Sequence, residues 1–115
     1  RLAEGERFDE LIEAYREDAA ELPPNAARLR KLGSALLYFG KDEAAAREAF
    51  EAARRLRPED PEILIGLGVC LNALGEHSAA TAAFDEALRL DPEALAGRPA
   101  AKAAYEASGR GERWP

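Results

Sequence analysis

The sequence predicts an all-α fold, a stack of antiparallel helix pairs. Three observations predict it: a composition of helix formers, a pattern that recurs every 34 or 35 residues, and apolar spacing with a helical period. Ala, Leu, Arg and Glu dominate, and all four favour helix, whereas Val occurs only at Val69 and Ile at three positions. So few β-branched residues do not furnish an ordinary sheet.

The recurrence is specific. Phe50 and Phe84 stand 34 residues apart, as do Ala46 and Ala80, Ala53 and Ala87, Leu56 and Leu90, and Pro58 and Pro92. Tyr15 and Pro23 precede Phe50 and Pro58 by 35. Between these segments, Leu29, Leu32, Gly33 and Leu36 match Leu64, Leu67, Gly68 and Leu71, and Gly40 matches Gly75, again at 35. The change from 35 to 34 places one extra residue in the turn around Gly40-Lys41-Asp42, where a loop absorbs it.

Each segment reads as a helix, in order at about 6–21, 26–39, 42–56, 61–74, 76–90 and 98–107. Leu64, Leu67, Gly68 and Leu71 fall at i, i+3, i+4 and i+7, one face of a 3.6-residue period. Ala80, Phe84 and Ala87 do the same. Asp60 before Pro61 is a start signal, an acidic N-cap with Pro at the first helical position. Gly40 and Gly75 stand where left-handed C-caps are expected, and Pro23, Pro58 and Pro92 bar the preceding helices from continuing.

These residues resemble the tetratricopeptide repeat, whose signature is W-x2-L-G-x2-Y…A-x3-F…P over 34 residues. Residues 61–94 read Leu64-x2-Leu67-Gly68-x2-Leu71, Ala80-x3-Phe84, Pro92, and residues 26–60 read Leu29-x2-Leu32-Gly33-x2-Leu36, Ala46-x3-Phe50, Pro58. Leu replaces the signature aromatics of the first helix. The resemblance implies an α-solenoid with a right-handed superhelical path, about two full repeats and a half repeat or capping helix at each end. Residues 5–25 are read as a half repeat, with Asp18 where Ala is usual. Residues 95–109 are read as a capping helix, with Arg98 and Lys102 where apolar and small residues are usual, and 110–115 as a disordered tail or one docked through Trp114. Stacking buries what a single pair cannot, with Gly33 and Gly68 allowing close approach within a pair and Phe50 and Phe84 filling the space between pairs.

Charge and composition narrow the function. A formal net charge of -6 argues against nucleic acid and against an anionic membrane surface, which both call for a basic face. No apolar run approaches the ~20 residues of a membrane span. The chain opens on Arg1 with no leader-like segment, so it is expected to be a piece of a longer protein, cytoplasmic rather than periplasmic. The single Cys70 forms no internal disulfide and is read as a packed thiol. The single His77 is read as a solvated turn residue. Arg54, Arg55 and Arg57 suit a helix C-terminus, and Glu4, Glu6, Asp9, Glu10 and Glu13 a solvated face. No catalytic residue, metal site or cofactor is expected.

The resemblance implies a different use. In this family the first helices of the pairs line a concave groove that takes a peptide or helix. Projected here, the lining positions are Ala27, Arg30, Ser34, Leu37 and Tyr38, then Glu62, Ile65, Val69, Asn72 and Ala73. Some relatives clamp a C-terminal carboxylate, but Ser34 and Val69 stand where that clamp has Asn. Leu37, Tyr38, Ile65 and Val69 instead form an apolar strip flanked by Arg30 and Asn72, suited to a hydrophobic or amphipathic segment. The expected function is a non-catalytic protein-interaction module. The alternatives are a homodimer through the N-terminal helix, whose Phe8, Leu11, Ile12 and Tyr15 need cover, or a regulatory segment of a larger protein or enzyme.

Overall fold

A computed structural model describes residues 4–113, with side chains from 7 to 109. Six helices follow one another: α1 (Glu4–Ala19), α2 (Ala26–Tyr38), α3 (Glu43–Leu56), α4 (Pro61–Ala73), α5 (His77–Leu90) and α6 (Pro99–Arg113). Among the described residues there is no strand.

Local chemistry sets the helix starts. The side chains of Asn25, Asp42 and Asp60 accept hydrogen bonds from the backbone N–H groups of Arg28, Ala45 and Glu62 at 3.1, 3.1 and 3.0 Å, satisfying donors that a helix N-terminus leaves without partners. Pro61 occupies the first turn of α4, where its missing N–H costs nothing. Gly75 ends the α4 turn at φ 84°, the left-handed conformation that glycine adopts without strain. Gly40 departs from the expected left-handed cap. Lys41 takes the positive φ, 54°, instead, because the extra residue of this turn moves the reversal along by one. Gly40 has a close neighbour instead: a Cβ there would meet Ile12 Cδ1 at 2.9 Å and the Leu36 carbonyl oxygen at 3.1 Å.

Every helix packs on its neighbours in sequence, and α2, α4 and α6 also touch side by side. Among the described residues α1, α3 and α5 make no such mutual contact. The two layers are therefore unequal. The positions expected to line the groove all lie on α2 and α4, in the layer whose helices touch.

The core is built on two phenylalanines. Phe50 and Phe84 are 1% and 0% exposed. A Cβ on Gly33 of α2 would lie 2.9 Å from the Phe50 ring, and one on Gly66 of α4 would lie 2.4 Å from it. Phe50 is thus clasped between its own pair and the next. Gly68 receives Phe84 in the same way, at 2.8 Å, and on the far side Phe84 meets the Tyr105 ring of α6 with centroids 5.4 Å apart.

The last helix starts and ends later than its sequence suggests. Residues 91–98 form turns, held by Asp91 capping the Glu93 N–H at 3.0 Å and by Gly97 at φ 71°, and α6 then runs on to Arg113. The backbone from 110 to 113 is helical, contrary to the disordered tail expected there, and Trp114 lies outside the described residues. At the other end Asp18 pairs with Arg28 at 3.6 Å, so the position that lacks its Ala carries an ion pair. Phe8 stacks on Phe39 at 4.8 Å, and Ile12 is buried. Within this chain, therefore, Phe8 and Ile12 already have cover.

Phe84→Ala should lower unfolding free energy by about 3–5 kcal/mol, read from urea denaturation. Gly66→Ala, which overpacks the Phe50 ring, should cost about 1–3 kcal/mol with helix content unchanged.

Candidate functional site

The residues projected for the groove lie on α2 and α4, at two depths. Leu37 and Ile65 are only 7% and 3% exposed. They belong to the hydrophobic core and do not form the open strip expected of them, because the converging α2, α4 and α6 close over them. Ala27, Arg30, Ser34, Val69 and Asn72 are half-buried, and Tyr38, Glu62 and Ala73 are exposed. The accessible face is therefore mixed, with one large aromatic, small apolar groups and a polar frame.

Electrostatics order one edge of this face. Glu62 takes Arg30 Nη1 at 3.4 Å on Oε2 and Arg98 Nη2 at 3.1 Å on Oε1. The carboxylate thus joins α2, α4 and the segment before α6. A hollow of about 390 Å³ opens beside it, with Asp60, Glu62, Ile65, Asp91, Glu93 and Arg98 among its walls, so the acids there outnumber the two arginines.

Tyr38 is the last residue of α2. Burial raises its hydroxyl above the ordinary tyrosine range, the Cys70 thiol acts in the same direction, and the Arg98 guanidinium opposes them, yet Tyr38 stays 48% exposed. At the far edge His77 Nδ1 lies 2.7 Å from Asn72 Oδ1. With the proton on Nδ1 the ring donates to the amide oxygen, which fixes the direction of the Asn72 side chain. His77 is half-buried rather than the solvated turn residue expected, and supports a groove position.

Among the described residues no three His, Cys, Asp or Glu side chains gather as a metal would require. Cys70 is fully buried. Burial first, and then the Glu43 carboxylate, push its thiol up to about 12, and reactivity belongs to the thiolate. Arg54, Arg55 and Arg57 are exposed at the end of α3, Arg57 reaching Asp60 at 3.9 Å. Asp9, Glu10 and Glu13 are solvated, whereas the side chains of Glu4 and Glu6 lie outside the described residues. Among the described residues no helix is long and apolar enough to cross a membrane.

Two groups of the site had weak sequence signals. Arg98 looked like a misplaced residue in a capping helix, whereas it precedes α6 and pairs with Glu62. Gly66 lies between two larger apolar residues and outside the Leu-Gly signature, although glycine in mid-helix is itself a sign of close packing.

An isolated cysteine ionises at about 8.5. Below that pH Cys70 is protonated in both the folded and the unfolded chain, and its packing contributes fully. As pH rises from there toward about 12 only the unfolded chain ionises, so stability is lost over that window. Denaturation midpoints of the wild type should therefore fall more steeply between pH 8.5 and 11 than those of Cys70→Ala, and the native thiol should resist aromatic disulfide reagents at pH 8.

Residues 30–95 match the family profile described as tetratricopeptide repeat. That span exceeds half of the chain, and the chain belongs to this family.

Proposed function

We propose that the chain is a non-catalytic interaction module that holds a peptide or helical segment of a protein partner along the concave side of α2, α4 and α6. Tetratricopeptide repeats in general mediate protein–protein interaction. The observation that supports the α2–α4–α6 face in particular is Tyr38, a large aromatic 48% exposed at the end of α2, the helix whose Arg30 also enters the Arg30–Glu62–Arg98 network.

The recognition follows from the depths of the residues. Tyr38, Val69 and Ala73 give a shallow apolar contact with Ser34 and Asn72 beside it. Leu37 and Ile65 lie beneath and set the floor's shape. Arg30 and Arg98 are held by Glu62, so little side-chain entropy remains to be lost when a partner acceptor meets them. The fit is to an amphipathic segment whose apolar residues meet Tyr38 and whose polar side meets this edge.

Screening against a peptide array would identify binding segments. For any segment found, Tyr38→Ala should weaken binding by about 2 kcal/mol or more, roughly thirtyfold, as for a buried interface aromatic. Val69→Asp should also weaken it. Glu48→Ala, on the outer surface of α3, should leave it unchanged. Equal affinity for wild type and Tyr38→Ala would rule out the concave assignment.

A further inference from the structure

The two complete repeats are built alike, so each serves as a control for the other. At the end of α3, residues 54–57 read Arg-Arg-Leu-Arg, whereas the same positions 34 residues later, 88–91, read Leu-Arg-Leu-Asp. Both helices end in the same way: the Arg57 and Asp91 backbone N–H groups donate to the Ala53 and Ala87 carbonyls, each at 2.9 Å. The fold therefore accepts either set of side chains. Arg89 alone supplies the cation in the last turn of α5, so the helix dipole accounts for one arginine and not for three.

We propose that the end of α3 is a second docking surface, which takes an acidic segment of a protein partner. Arg54, Arg55 and Arg57 receive its carboxylates, and Leu56 receives an apolar side chain set among them.

The charges of this turn are available. Arg54, Arg55, Leu56, Arg57 and Pro58 are all exposed. Arg89, the counterpart of Arg55, donates from Nε and Nη2 to the two oxygens of Glu86. The counterpart of Glu86 is Ala52, so Arg55 lacks that acid. Arg54 lines a groove with Glu86, but both oxygens of that carboxylate are taken by Arg89. Among the described residues neither Arg54 nor Arg55 enters an ion pair, and Arg57 reaches Asp60 at 3.9 Å with its own side chain 59% exposed. The apolar residue differs between repeats too: Leu90 is half-buried against the core, while Leu56 is 46% exposed.

Charge complementarity decides the occupant. In a chain of net charge -6, three exposed cations gather within four residues. Two hollows share Pro58 as a wall, one of about 280 Å³ with Glu51, Arg54 and Arg55, the other of about 730 Å³ with Arg57, Glu59, Asp60 and Pro61. A long polyanion such as nucleic acid would run onto Glu51, Glu59 and Asp60 and be repelled. A protein segment can confine its carboxylates to the arginines and alternate them with apolar residues, which nucleic acid cannot offer to Leu56. Exposed ion pairs are individually weak, so the contact is reversible and sensitive to salt.

This surface is separate from the one proposed around Tyr38. Ala26, Ala53 and Ile63 share a small cluster, so α3 ends beside the start of α2. Tyr38 stands at the other end of that 13-residue helix, about 20 Å away.

The test is fluorescence anisotropy of the whole chain with a labelled peptide in which Glu and Leu alternate. Binding should saturate, and should weaken as salt is raised. Arg54→Ala combined with Arg55→Ala, both exposed and checked for helicity by circular dichroism, should weaken it roughly fivefold, the worth of two exposed ion pairs. Leu56→Ser should also weaken it, and Tyr38→Ala should leave it unchanged. The same peptide with Lys in place of Glu should not bind. Absence of saturable binding by the Glu–Leu peptide overturns the proposal, and so does an affinity that the arginine variants leave intact. Labelled single-stranded DNA that binds as tightly and is released by the same variants would assign the patch to nucleic acid. Self-association of the chain in sedimentation, abolished by those variants, would assign it to a second copy. Either result overturns the acidic partner.

Discussion

The structure depends on the seating of two phenylalanines against glycines. Phe50 touches Gly33 and Gly66, and Phe84 touches Gly68, at distances that leave no space for a single added carbon. Each ring fills the volume that the missing side chains vacate, so the helices come close enough to exclude water. Cores at this density tolerate neither a void nor an extra methyl group. The ring of one pair also reaches the next pair, so the contact that forms a repeat is the contact that joins repeats. The close approach of α2, α3 and α4 around Phe50 goes with it.

How much of this was legible in the sequence varies with the kind of constraint. The helices were legible because Phe50, Phe84, their alanines and the prolines recur at fixed spacing, and a recurring pair can be packed in only one way. The caps at Asp60 and Gly75 were legible for a local reason, hydrogen bonding or backbone angle. Gly40 misled because the same residue type answers two demands, conformational freedom and close approach, and only the approach of Ile12 distinguishes them. The extra residue in that turn hands the left-handed conformation to Lys41.

The groove was legible in place but not in depth. Projection from the family chooses positions on one helix at a time, whereas exposure depends on how closely neighbouring helices converge. Leu37 and Ile65 therefore pass to the core while Tyr38 stays outside. Arg98 was illegible because eight residues of turn separate α5 from α6, and no periodicity extends across them. His77 and Asn72 are five residues apart, but only the sharp turn at Gly75 brings their side chains together.

The hydroxyl pair at the base of the last helix has a further consequence. Ser108, fully buried, accepts from Thr81 Oγ1 at 2.9 Å and donates to the Tyr105 carbonyl at 2.8 Å. Apolar surfaces rich in alanine slide over one another at small cost, and α6 presents such a surface. Slippage by one turn would leave Ser108 its bond to the Tyr105 carbonyl of the same helix but break the Thr81–Ser108 bond that joins α5 to α6, at about 1 kcal/mol. The final helix consequently has a single discrete resting place. What alanine alone would leave as a smooth bearing becomes an indexed joint between α5 and α6.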